Sequence, residues 1–278
     1  MSNHEFCSNL NRRRRNLSVF PPMLLAAAVA AALALSRPAL AQTAPKSAPP
    51  AGAKSQPFDP HDLSGVWDHE GRIAGDPAPP MTAWGQEKFN ATKPSFGPRM
   101  VPPAFGNDPI GYCDPQGFPR VGTIENPQPM ELIQIRGRLL QFFEWNHVWR
   151  TIWTDGRDVP KDPDTTWYGY SVGKWDGDTL VVTTVGTDER TWLDQPGYPH
   201  SDELRAEERY RRIDRNTLEY SLTIDDPKAY TKPWRMVNPM HFKLNPKYEL
   251  QEIICAPSDE QSFDNAIRNP AAGVGVKK

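Results

Sequence analysis

The stretch Trp167 to Val185, WYGYSVGKWDGDTLVVTTV, decides the fold. Two runs rich in aromatic and β-branched residues flank Asp176-Gly177, a pair that accepts the positive φ values of a type I′ turn. The stretch therefore reads as a β-hairpin. Pairing Trp175 with Asp178 puts Tyr168, Tyr170 and Val172 on one face with Val181, Thr183 and Val185. Gly169, Ser171 and Gly173 then lie opposite Leu180, Val182 and Thr184. One face is bulky and the other nearly bare. Glycine weakens a strand, so the Gly-Ser-Gly file implies that a large side chain, a bend or a ligand comes close on that side.

Around this hairpin the strand signals continue. Glu131 to Ile135 and Arg138 to Glu144 meet at Arg136-Gly137, and Val148 to Thr154 ends at Asp155-Gly156-Arg157. A further hairpin joins Leu204–Ile213 to Thr217–Ile224, where Leu218, Tyr220, Leu222 and Ile224 alternate with polar residues. Weaker strands follow at Met236 to Leu244 and Tyr248 to Cys255. In FFEWNHVWRTIW the tryptophans 145, 149 and 153 fit both a period of two and a helical face. Val148, Thr151, Ile152 and the flanking Gly turns favour a strand. With Gly65–His69 there are about nine strands joined mostly by short turns. That pattern predicts an all-β domain, an antiparallel meander closed as a lipocalin-like barrel, with a β-sandwich as the alternative.

Proline partitions the chain. Residues 42–130 hold 17 of the 27 prolines that follow residue 41, and residues 131–226 hold four, so a regular sheet is confined to the second region. Residues 42–60 read as a disordered linker. Residues 61–130 read as a first strand, a short helix and a Pro-rich arm, anchored by Phe96, Phe105, Tyr112 and Phe118, that wraps the sheet. Residues 131–260 complete the same domain, and 261–278 read as a flexible tail. The helix is TAWGQEKFNA, with Thr82 as N-cap and Trp84 and Phe89 turned inward. Gly65-Val66-Trp67 resembles the Gly-x-Trp motif of lipocalins, in which the Trp plugs one end of the barrel.

The start of the chain carries Arg12 to Arg15, an apolar stretch from Met23 to Leu35, and Ala39-Leu40-Ala41. This is the pattern of a secretory signal peptide cleaved after Ala41, and Arg14-Arg15 also fits a twin-arginine signal. No stretch reaches the ~20 apolar residues of a membrane-spanning helix. Removing residues 1–41 takes away five Arg and one Glu, so the balance moves from 32 against 34 to 27 against 33, a net charge of −6. That balance argues against nucleic acid as a partner. Cys113 and Cys255 remain, and in an oxidising compartment they read as one disulfide worth ~3–5 kcal/mol. Two lone cysteines without His at ligand spacing make no metal site.

Three constellations could carry chemistry. Glu144 to Arg150 gathers an acid, an amide, His147 and a guanidinium among Trp145 and Trp149, which reads as a small polar site or as a Glu144–Arg150 ion pair with a turn histidine. Thr191-Trp192-Leu193-Asp194 with Pro199-His200-Ser201-Asp202-Glu203 forms a long connection, the kind that carries function at a barrel mouth, and equally a plain helix start. Asp225-Asp226-Pro227 offers paired carboxylates or a turn. Hydrolase-elbow, zincin, phosphate-loop and dinucleotide motifs are absent from the sequence, so no cofactor is expected.

WTDGR (153–157), DPDTTWYGYSVGKWDGDTLVVTT (162–184), RTWLD (190–194), PHSDELRAEERYRR (199–212) and DDPKAYTKPW (225–234) together resemble a large group of secreted bacterial proteins with no assigned activity. The resemblance implies a signal peptide and a β-rich domain, and names no substrate.

The functional expectation is a periplasmic or secreted barrel that binds a small apolar or aromatic molecule. Trp145, Trp149, Trp167, Tyr168, Tyr170 and Trp192 would line its pocket, and Arg150 with a His would fix the polar end. A cofactor-free lyase, isomerase or hydrolase using His200, Asp194 or His147 is the alternative, and a structural envelope protein is the third. In an up-and-down barrel the turns alternate between rims, which predicts His147 and His200 at opposite ends, with the ligand beside the Asp155–Thr166 connection.

Overall fold

The computed structural model describes residues 57–123 and 129–273. The expected signal peptide and most of the 42–60 linker lie outside the described residues, as do residues 274–278 of the expected tail.

Nine strands close into a barrel in sequence order: β1 (Gly65–Glu70), β2 (Met130–Ile135), β3 (Arg138–Phe143), β4 (Trp149–Trp153), β5 (Tyr170–Asp176), β6 (Thr179–Val185), β7 (Arg205–Asp214), β8 (Thr217–Asp225) and β9 (Trp234–Leu244). β9 pairs back onto β1, with Trp67 opposite Leu244, so the sheet has no open edge. The period of two drives closure. In β6 Leu180, Val182 and Thr184 are buried while their neighbours are half-exposed, and β8 likewise buries Leu218, Tyr220, Leu222 and Ile224.

The central hairpin forms with a register two residues away from the predicted one: Trp175 faces Leu180 and Asp176 faces Thr179. Gly177-Asp178 is therefore the turn, with a positive φ at Gly177, which is the position a type II′ turn requires. A slip of two keeps every side chain on its predicted face. The bare file points into the barrel, and large side chains fill the space it leaves. A Cβ at Gly173 would meet Leu180 at 3.0 Å and Ile152 at 3.1 Å, and the guanidinium of Arg150 comes up to Ser171.

One joint departs from the antiparallel meander. β4 and β5 run parallel, Ile152 opposite Ser171 and Trp153 opposite Val172. The connection 154–169 must then cross from one rim to the other, and Pro160 and Pro163 suit an extended crossing. Crossing reverses the order of every later turn, which corrects the expected separation of the two histidines. The turn holding His147, the 186–204 connection holding His200, the 226–233 connection and the long β1–β2 connection all lie at one rim, here the loop end. The other rim, the turn end, carries the tight turns at 136–137, 177–178 and 215–216 and the start of the 154–169 crossing.

Trp67 fills the turn end. It has no exposed surface, its indole N–H donates to Leu63 O at 2.8 Å, and Arg212 lies over its ring at 5.5 Å. At the loop end, helix α1 (Ala83–Ala91) is capped by the Thr82 hydroxyl, which accepts from Gly85 N at 3.1 Å. The Pro-rich arm follows and ends in the short helix α2 (Arg120–Thr123). A disulfide between Cys113 and Cys255, with Cα atoms 5.4 Å apart, ties the arm to the segment after β9.

Two expectations about the chain end are corrected. Tyr248 to Cys255 is not a strand of the barrel. It is an irregular segment fastened by the β3–β4 turn: Glu144 accepts from Tyr248 Oη and Gln251 N, and Asn146 accepts from Cys255 N. Residues 261–271 are helical rather than a loose tail, continuing from α3 (Pro257–Phe263). Arg268 holds them down by donating to Gly111 O at 3.2 Å and to Glu260 at 2.7 Å. Among the described residues no helix is long and apolar enough to cross a membrane.

Candidate functional site

Five consecutive strands, β3 to β7, turn polar side chains toward one another inside the barrel: Gln141, Arg150, Ser171, Thr184 and Glu208, all buried. Gln141 lies opposite Arg150 and Ser171 opposite Thr184, so the cross-strand registers alone bring them together. Arg150 Nη2 donates to both oxygens of Glu208 at 2.7 Å, and its Nε donates to Gln141 Oε1 at 2.8 Å. Its Nη1 faces the Thr184 and Ser171 hydroxyls at 3.4 and 3.5 Å. Glu208 Oε1 also accepts from Tyr210 at 2.7 Å and Tyr220 at 3.1 Å.

Burial opposes the charge on Arg150, yet Glu208 and the two phenols more than offset it, and its pKa lies above the ordinary value. Burial, reinforced by the Glu208 charge, pushes both Tyr210 and Tyr220 well above the usual phenol range. Both phenols are therefore protonated donors at neutral pH. Two charges in a barrel interior cost several kcal/mol each to desolvate, and a well-packed apolar pair of the same volume often serves folding as well or better. Stability alone is a poor reason for this network.

Beside it lies a cavity of about 10 Å³, room for about one water, bounded by Gln141, Glu208, Tyr210 and Tyr220 on the polar side. Phe118, Met130, Phe143 and Phe242 close the apolar side. Phe118 belongs to the arm, and its ring stands 4.0 Å from the Arg150 guanidinium. A backbone bond ties the arm there, and a pair within the arm braces it. Phe118 N donates to Trp167 O at 2.9 Å, and Arg120 forms a forked pair with Asp108 at 2.6 and 2.7 Å while lying over Trp192 at 5.6 Å. A side chain at Gly117 would collide with Thr191, so the arm passes close under the 186–204 connection.

Of the residues expected at a site, the barrel interior takes in Arg150. Its partner is Glu208 rather than Glu144, which serves the C-terminal segment. His147 is exposed and donates through Nε2 to Gln251 O at 2.8 Å. Trp145 bridges to Ile253, and Trp149 stacks on Phe142 on the outer wall, 54% exposed. Tyr170 accepts from Arg157 at 2.8 Å, Trp167 lies under Arg190 at 4.3 Å, and Tyr168 packs against the core, where burial pushes its pKa up to about 12.

At the 186–204 connection the buried His200 donates from Nδ1 to Ser201 O at 3.0 Å and meets the Thr191 hydroxyl with Nε2 at 2.7 Å. Burial lowers its pKa, so it is neutral at pH 7. Asp194 turns to the Gly197 and Tyr198 amides, both at 3.0 Å. Asp226 is a buried turn organiser that accepts from Ser201 N, Ser201 Oγ and Ala229 N.

An open groove of about 550 Å³ does lie beside the 154–169 connection, between 159–165 and 202–205. Its charged walls include Asp202, which is paired with Lys228 at 2.8 Å, and none of Trp167, Tyr168 or Trp192 lines it. The interior network is the more specific chemistry.

From the sequence, Glu208 and Tyr210 go unnoticed, and Tyr220 and Phe118 stand only as a buried strand position and an anchor of the arm. A signal was present for three of them: alternation along RAEERYRRID puts Ala206, Glu208 and Tyr210 on one face, and that face pairs with the buried face of β8. An acid on an inward face is the informative residue. Fold and site together define a closed nine-stranded β-barrel with a buried Arg–Glu–Tyr network beneath an arm. No protein-family model, curated protein or solved structure matches the chain.

Proposed function

We propose that this protein is exported and binds a small molecule inside the barrel, on the Arg150–Glu208 network, entering at the loop end when the 114–123 arm gives way. The observation that carries this reading is the network itself: a fully buried ion pair held by two phenols and an amide, with a cavity against it. Such groups are polar, preorganised and screened from water, the features of ligand sites in barrels. The turn end is filled by Trp67, which leaves the loop end as the entrance. The signal-peptide pattern and the disulfide both suit an oxidising compartment outside the cytosol.

Native mass spectrometry of the processed protein, purified from its exported fraction without denaturant, tests the reading. The expected result is a chain beginning at Gln42 that carries a small molecule in about equimolar amount, lost in Glu208→Gln. An empty chain that no member of a library of neutral and charged small molecules stabilises against heat would overturn it.

A further inference from the structure

The surface that a ligand would meet first is the one Phe118 now covers. The chain lays a phenyl ring over the guanidinium, 4.0 Å away, with Phe143 and Phe242 around the adjoining cavity. The charges beneath are already matched one to one, since Arg150 holds both Glu208 oxygens. An anionic ligand would arrive with nothing left to pair it, and a cation would compete with Arg150 for Glu208. A neutral ligand fits. Glu208 uses its two oxygens unequally: Oε1 takes Arg150, Tyr210 and Tyr220, whereas Oε2 takes a single bond from Arg150. A carboxylate oxygen has two lone pairs, so Oε2, on a residue that borders the cavity, can accept one more donor.

We infer that the barrel binds a neutral phenolic ring, which takes the place of the Phe118 ring on Arg150 and donates its hydroxyl to Glu208 Oε2. This deepens the proposed function and rests on it. The arm is thereby an internal competitor: Phe118 and the ligand ring occupy one volume, so binding requires the Phe118–Trp167 link to yield. Gly117 and Gly122 lie within the 114–123 segment that moves.

Calorimetric titration of the full processed chain with phenol, toluene, cyclohexanol and benzoate, in the parent and in Phe118→Ala, provides the test. Removing the competing ring should tighten phenol. In Phe118→Ala phenol should exceed toluene by about tenfold or more, the equivalent of ~1.4 kcal/mol and the low end for a hydrogen bond to a charged group. Cyclohexanol should bind less tightly than phenol for want of a π face, and benzoate weakest of the four. Toluene as tight as phenol would mean that the substitution merely opened an apolar hole, and benzoate as the tightest would mean an anion site. Either result overturns the phenol assignment and leaves interior binding standing, as would a co-purified aliphatic molecule released by Glu208→Gln. Failure of all four probes in both proteins, with an empty chain by mass spectrometry, removes the assignment and the proposed function together.

Discussion

At the turn end of the barrel the interior is mainly apolar and closed: Trp67, Leu132, Leu139, Leu180 and Leu218 are all essentially without exposed surface, the buried Arg212 lies over the Trp67 ring, and most of the connections are tight turns. At the loop end the interior is a charged, hydrogen-bonded network roofed by one ring of a Pro-rich arm, and every long connection but the 154–169 crossing gathers there. The difference separates two jobs along one axis. The leucines at the turn end gain stability from burial in proportion to area, with no directional demands, and Trp67 adds one hydrogen bond, to Leu63 O. The loop end spends burial on groups whose stabilisation depends on each partner being present, the signature of specificity.

The largest effect expected is at the turn end. Trp67→Ala should cost ~3–5 kcal/mol in urea unfolding, because a rigid ring of strands cannot collapse onto the space left. A cost under ~1 kcal/mol would show that the turn end is not the stabilising half. Next, Arg150→Met alone should cost ~3 kcal/mol or more by stranding Glu208 in the interior. Arg150→Met with Glu208→Leu should recover most of that loss. If the double variant is as unstable as the single, the network is a structural necessity and the contrast between the ends fails. Phe118→Ala should cost less than either, about 1–2 kcal/mol despite its burial, since the polar walls it uncovers can take water and the arm can settle. A cost equal to that of Trp67→Ala would make the arm part of the core rather than a roof.

How far these ends were legible in the sequence follows the same division. The turn end rests on local signals: Asp176-Gly177 announced its hairpin, though two residues out of register, and Arg136-Gly137 another, and both involve residues close in sequence. The loop end depends on what the 154–169 connection does, and nothing local in DGRDVPKDPDTTW distinguishes a rim turn from a crossing. Once it crosses, the rim of every later loop changes, so an expectation built on alternation put His200 at the wrong end. The network was hidden for a related reason. Arg150 stood out among tryptophans, but its partner lies 58 residues away in a strand crowded with surface charges, where one inward acid looks like the others. Phe118 sits in a segment without periodicity, so no pattern could aim it.

The smallest effect concerns pH, where two groups in the 186–204 connection should pull in opposite directions. His200 is held below its ordinary value, chiefly by burial, against the favourable Ser201 carbonyl and Asp226. In the unfolded chain a histidine titrates near ~6.5, so below that pH the unfolded chain holds a proton the folded one lacks. Its contribution is whole above ~6.5 and drains away as pH falls toward the folded value. Asp194 behaves in reverse. Burial pushes its pKa up to about 6, against the Tyr198 and Gly197 amides and the Arg120 charge. An unfolded aspartate titrates near ~3.9, so its contribution is whole below that pH and lost as pH rises through about 6. Between pH 4 and 6.5 the terms oppose, and urea midpoints over that range should show it: His200→Gln should flatten the loss on acidification and Asp194→Asn should steepen it. Asp155, by contrast, at the turn-end rim, is lowered by its hydrogen bond from Arg157 and loses its contribution only at more acid pH. Slopes unchanged in both variants would make the loop end as indifferent to pH in this range as that rim, and would leave the network, not the loops, as the feature that sets the two ends apart.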